Sequence, residues 1–188
     1  VSKVSISAAG EITKGVESSK VSGIIFTQTA DKTIANTTTE TSLIGTGIGS
    51  VTLPANTLTA GKTIRIKMSG YISCNANDST TVNIKLGSVI LVSSKVKIPV
   101  LLTNVEFQAD FTFTCRTTGS TGTVIGQGST TLYEGQAFTT TYSRALQMTS
   151  ASTINTTNAN TIDVTYKFNN AGVGNTITCT NLSVEILN

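Results

Sequence analysis

Apolar and polar residues alternate with a period of two through most of this chain, while helical spacing is scarce. Between residues 63 and 71, Ile64, Ile66 and Met68 share one face and Arg65 and Lys67 take the other. That pattern predicts a strand with one buried and one wet side. The longest alternation sets Val105, Phe107, Ala109, Phe111, Phe113 and Cys115 against Glu106, Gln108, Asp110, Thr112 and Thr114. Its three phenylalanines predict the central strand of the core. Later, Ile162, Val164, Tyr166 and Phe168 form one run, and Ile177 and Cys179 lead into Leu182, Val184 and Ile186. Parity changes between Cys179 and Leu182, so a bulge near Thr180 or Asn181 is needed to keep the apolar residues on one face.

Gly87-Ser88, between the runs ending at Leu86 and starting at Val89, has the glycine-first form of a tight type II′ hairpin. Further short strands are expected at 23–29, 33–35, 42–45, 51–53, 122–132 and 142–148, separated by clusters of Asn, Gly, Ser and Thr. The segment 147–160 has little apolar pattern beyond Met148 and Ile154 and reads as a long loop. The sum is an all-β fold, an antiparallel β-sandwich over residues 23–188. Residues 1–22 spread Lys3, Glu11, Lys14, Glu17 and Lys20 among small residues and isolated valines and isoleucines. With too little apolar surface to fold alone, they read as an N-terminal arm or attachment segment, or as one extra edge strand.

Composition narrows the function. The chain of 188 residues has 36 threonines and no histidine, so it favours strands while lacking the commonest general base and metal ligand. Charged residues make up 12% and the net charge is +3, which supplies no basic field for nucleic acid. No apolar run approaches the ~20 residues of a membrane helix. The start at Val1 carries no hydrophobic signal segment and leaves processing or excision open. The chain is therefore expected to be soluble, with no membrane partner. Cys74, Cys115 and Cys179 are widely spaced and odd in number. They read as buried free thiols of a protein made in a reducing cytoplasm, with a single disulfide between two of them as the alternative.

Candidate chemistry is thin. Gly61-Lys62-Thr63 copies the end of a phosphate-binding loop, but Asn56 stands where that motif requires glycine, and a strand follows where a helix must open. Gly45, Gly47 and Gly49 suggest a flexible turn between short strands. Glu106 and Asp110 fall near each other on one strand face, the minimum for a glycosidase pair, yet they lie opposite the phenylalanines, where a solvated face is the ordinary outcome. Asn75, Asn77 and Asp78 offer oxygens to calcium but only one carboxylate, so a polar hairpin loop is the simpler reading. N-x-S/T sequences begin at Asn36, Asn77 and Asn155 and, in so threonine-rich a chain, do not establish glycosylation. No catalytic residue, metal or cofactor is expected.

One stretch carries a resemblance: Thr33-Ile34-Ala35-Asn36, Leu43-Ile44-Gly45-Thr46-Gly47, Leu53-Pro54-Ala55-Asn56-Thr57-Leu58 and Gly61-Lys62-Thr63-Ile64-Arg65-Ile66-Lys67. It resembles the opening of jelly-roll domains in structural proteins of tailed bacteriophages: head fibres, head decorations and tail-fibre knobs. The resemblance implies a jelly-roll-like sandwich, a homotrimer, and an N-terminal segment that ties the subunit to major capsid or other virion proteins. The expected function is a non-enzymatic virion structural protein, a capsid-decoration or head-fibre subunit made in the host cytoplasm and displayed on the virion surface. The alternative is a receptor-binding knob for host-surface glycan, with Tyr133 and Tyr142, beside 119–128, as the aromatic contacts and Tyr71 and Tyr166 packed in or at the rim of the core. An aromatic content of 5% without tryptophan counts against it. A third reading, a bacterial surface adhesin subunit, would require a signal peptide.

Overall fold

The computed structural model describes residues 3–6, 12–15, 22–134 and 140–188, all strand, turn or loop. Lys3–Ile6 (β1) and Ile12–Gly15 (β2) pair with each other, antiparallel. Otherwise the expected arm over residues 1–22 falls almost wholly outside the described residues. Next come Gly23–Gln28 (β3), Lys32–Ala35 (β4), Thr41–Ser42 (β5), Gly47–Gly49 (β6) and Thr52–Leu53 (β7), then the long Thr63–Cys74 (β8). Ser79–Leu86 (β9) and Val89–Lys97 (β10) form a hairpin. Leu102–Thr117 (β11), Gly122–Glu134 (β12), Thr140–Gln147 (β13) and Ser152–Ile154 (β14) follow, and Asn160–Phe168 (β15) and Thr176–Ile186 (β16) complete the order.

Two antiparallel sheets pack face to face. The larger runs β13-β12-β11-β8-β16-β3-β6, with β14 continuing beside β12 and β4 beside β16. The smaller runs β10-β9-β15-β5, with β7 beside β15. The chain passes repeatedly from one sheet to the other, as in a jelly roll: β8 lies in the large sheet, β9 and β10 in the small, β11 to β14 in the large, β15 in the small and β16 in the large. The Phe-rich strand β11 is interior, as expected, but the centre of the large sheet is β8, flanked by β11 and β16.

Alternation decides what is buried. Ile64, Ile66, Met68 and Ile72 of β8, Phe107, Phe111 and Phe113 of β11, and Leu182, Val184 and Ile186 of β16 form one wall of the core. Val82, Ile84 and Leu86 of β9 with Ile162, Val164, Tyr166 and Phe168 of β15 form the other. Burial of each such phenylalanine contributes about 2 kcal/mol by transfer alone. Cys74, Cys115 and Cys179 are buried free thiols in this core.

Local features explain the register. The β9–β10 turn places Gly87 at φ 59° while Ser88 is not left-handed, which is the type II′ form. Pairing slips between Cys179 and Asn181, leaving Thr180 as the extra residue. This bulge returns Leu182, Val184 and Ile186 to the core side. Here β16 crosses so close to β8 that a Cβ on Gly70 would lie 1.9 Å from the Thr178 carbonyl oxygen. Gly47 and Gly49 sit in β6, a paired strand where a flexible turn was expected, because β6 lies hard against β3: a Cβ on Gly47 would meet the Phe26 ring at 2.4 Å. The expected loop over 147–160 also contains structure. Ser152–Ile154 pairs with β12, and the buried Thr156 bonds Gly119 through both its backbone N–H (3.0 Å) and its hydroxyl oxygen, which accepts from the Gly119 N–H at 2.9 Å.

One end of the sandwich is formed by loops 75–78, 98–101 and 169–175. The calcium candidates lie here, and Asp78 is committed elsewhere. Its buried carboxylate accepts from the Asn170 amide (2.8 Å), the Asn175 amide (2.6 Å) and the Ser79 backbone N–H (2.7 Å), while Asn175 Oδ1 accepts from the Asn75 N–H (2.8 Å). Among the described residues no cluster of His, Cys, Asp or Glu could hold a metal. Asp78→Ala would take the carboxylate acceptor from the buried Asn175 amide and from the Ser79 N–H. It is expected to destabilise the chain by about 3 kcal/mol, read as a lowered urea midpoint at unchanged m-value.

Candidate functional site

The small sheet covers only one face of the large one. The outward residues of β8, β11, β12 and β16 therefore line up across strands in rows fixed by register. The first row is Thr178, Tyr71, Glu106 and Tyr133. Asn181, Ser69, Gln108, Thr131 and Ser143 form the second. Below them lie Ser183, Lys67, Asp110, Ser129 and Ala145, and then Glu185, Arg65, Thr112, Gln127 and Gln147. Shallow depressions run along this face. One of about 190 Å³ lies at Tyr71, Glu106 and Gln108, one of about 390 Å³ at Ser69, Gln108, Asp110 and Asn181, and one of about 570 Å³ at Arg65, Asp110, Thr112 and Gln147.

Arg65 and Asp110 form an ion pair on this face, beside Glu106, Lys67 and Glu185. Arg65 Nε donates to both oxygens of Asp110, at 3.0 and 3.1 Å, and Arg65 Nη2 adds a third contact. The fork holds the guanidinium above its ordinary pKa. Glu106 and Asp110 stand four residues apart on one strand, roughly 13 Å along the backbone. That exceeds the ~6.5–9.5 Å between the carboxyls of an inverting glycosidase, and Asp110 is already engaged.

The tyrosines are rearranged relative to expectation. Tyr133 faces outward on β12, but Tyr142 pairs with Leu132 and so points to the opposite face of the sheet. The two do not share a surface. Residues 122–128 belong to strand β12, with Tyr133 at its far end. Tyr166 is in the core as expected, its hydroxyl pKa raised by burial. Tyr71 is not: it is 40% exposed on the outer face, because it shares the parity of Arg65 and Lys67 while Gly70 occupies the inward position. That parity was the available signal. The residue that comes into line with Tyr133 is thus Tyr71, across Glu106.

Lys62 of the phosphate-loop look-alike is buried at the entry to β8, where its ammonium contacts the Asn188 carbonyl oxygen and its backbone N–H bonds Thr59. No helix follows it. The cysteines offer no nucleophile at the surface. Burial raises all three thiols, Cys74 and Cys179 to about 11. A thiol reagent near neutral pH is expected to leave the folded chain unmodified and to label all three cysteines once it is denatured.

On the outer face of the small sheet one polar group is internally paired, while Lys95, Lys97 and Lys167 stand on the same side. Glu40 pairs with Lys85 and accepts from the Thr165 hydroxyl at 2.6 Å, and the Ser42 hydroxyl donates to Asp163 at 2.6 Å. Lys85 first, then Thr165, lowers the Glu40 pKa from 4.5 to about 2. Because the folded value is depressed, the contribution is fully present above pH 4.5 and is lost as pH falls toward 2. Stability should fall across that window, and Lys85→Met should flatten the fall in acid melts.

The fold is thus an antiparallel β-sandwich whose small sheet carries paired and unpaired charges on its outer face and whose large sheet has an open polar face. Comparison with solved structures finds similarity to the CBM2 module of Lactobacillus casei BL23 phage J-1 evolved Dit, over 72% of this chain and 67% of that one, at 12% identity and a TM-score of 0.34. No protein-family model matches the sequence. Comparison with curated proteins returns no match.

Proposed function

We propose that this chain is a non-enzymatic structural protein of a tailed-bacteriophage particle, a capsid-decoration or head-fibre subunit displayed on the virion surface. In this reading residues 1–22 attach it to capsid or other virion proteins, and three copies assemble. The observation that carries the reading is the polarity of the sandwich. Strand β3 begins at Gly23 opposite Ile186, so the segment before it leaves from the end where β16 finishes. Loops 75–78, 98–101 and 169–175 stand at the other end and carry the exposed Val100, Leu101 and Val173. A module tethered at one end and presenting the other suits a projecting surface subunit. The resemblance at residues 33–67 supports the same assignment.

Assembly into a trimer would use apolar surface at the β3–β6 edge. Ile24 and Ile48 lie there on the outer face, 65% and 75% exposed, an arrangement that a neighbouring subunit would cover. Light scattering on the purified chain is expected to return about three times the 19.5 kDa chain mass, and Ile48→Asp should return the monomer. Immunogold labelling with antibody to residues 23–188 should decorate particles of the phage that encodes the chain, and a chain lacking residues 1–22 should stay folded but fail to incorporate. A monomeric wild type would overturn the trimer; unlabelled particles would overturn the virion assignment.

A further inference from the structure

We propose that the first two rows of the open face form a binding platform for a neutral oligosaccharide, with Tyr71 and Tyr133 as the stacking surfaces. Both rings stand on the same side of the sheet, two strands apart with Glu106 between them. Antiparallel neighbours lie ~5 Å apart, so the two ring positions are separated by about 10 Å. A saccharide chain laid across the strands can rest apolar ring faces on both while its hydroxyls face the row below.

That second row has the matching chemistry. Ser69, Gln108, Thr131 and Asn181 are uncharged and carry both donors and acceptors, as sugar hydroxyls require. They stand on interior strands paired on both sides, so the ligand meets backbone positions that are already ordered. The depressions here are shallow and open, the shape of a site for an extended chain and unlike an enclosed apolar pocket.

Charge selects the ligand class. The two rows hold a single charge, Glu106, and the cations below them, Lys67 and the Arg65 held by Asp110, are matched in number by Glu106 and Asp110. A polyanion such as nucleic acid or an acidic glycan would meet no net positive charge there, and Glu106 directly between the two rings. A protein partner would want an apolar interface core, and these rows supply only the two tyrosines. A neutral, polyhydroxylated chain is the class that fits.

The proposal goes beyond the virion assignment and does not require it, since the purified chain is the reagent. A printed array of neutral and acidic oligosaccharides is probed with the wild-type chain, and the strongest neutral hit is titrated by calorimetry. Tyr71→Ala and Tyr133→Ala should each weaken binding roughly three- to tenfold, on the scale of aromatic stacking. Tyr142→Ala, on the opposite face, should leave it unchanged. Thermal melts of the variants check that these exposed substitutions leave the fold intact. Absence of any array signal at high protein concentration, binding confined to acidic glycans, or binding unaffected by both outer-face variants would each overturn the platform. None of these results would bear on labelling of phage particles.

Discussion

The inner faces of β8, β11 and β16 have to be buried against β9 and β15, and the rest of the molecule follows from that contact. Because a strand has a period of two, burying Ile64, Ile66 and Met68 commits Arg65, Lys67 and Ser69 to the other side. The same holds for Phe107, Phe111 and Phe113 against Glu106, Asp110 and Thr112. The open polar face is therefore the complement of the core, and its rows inherit their alignment from the register that packs the core.

Register is defended where it could slip. A shift of one residue in β16 would turn Leu182, Val184 and Ile186 outward. The extra residue at Thr180 absorbs the change of parity after Cys179, and the local approach of backbones it creates is tolerated because position 70 is glycine. That glycine also lets Tyr71 occupy the outer face without an inward side chain crowding the bulge. Backbone packing and surface chemistry thus meet at adjacent residues.

The polar groups have been handled in different ways on the different surfaces. At one end of the sandwich, Asp78 gathers Asn170, Asn175 and Ser79 into a buried network that ties the loops together. On the small sheet, Glu40, Lys85, Thr165, Ser42 and Asp163 satisfy one another. On the large sheet the Arg65–Asp110 fork and hydroxyl pairs such as Thr33–Thr178 and Thr63–Thr114 are closed, and exposed ion pairs of this kind add little stability. The hydroxyls and amides around the fork, together with Tyr71 and Tyr133, face outward on the side that the small sheet leaves open.

Alternation, turn chemistry and bulge parity are properties of residues one to three positions apart, so the sequence alone determined the all-β class, the long strands around Ile66 and Phe111, the Gly87-Ser88 hairpin, the break at Thr180 and the burial of the cysteines. Short strands with weak alternation, such as Ser152–Ile154 and Gly47–Gly49, were not legible, because their pairing comes from neighbours supplied by distant segments. The same limit governed the site. Whether Tyr133 faces Tyr142 or Tyr71 depends on which strands pair and in what register, a choice made by core packing across more than sixty residues of chain. Sequence set the side of the strand on which each residue lies; only the tertiary structure decided which residues stand beside one another on that side.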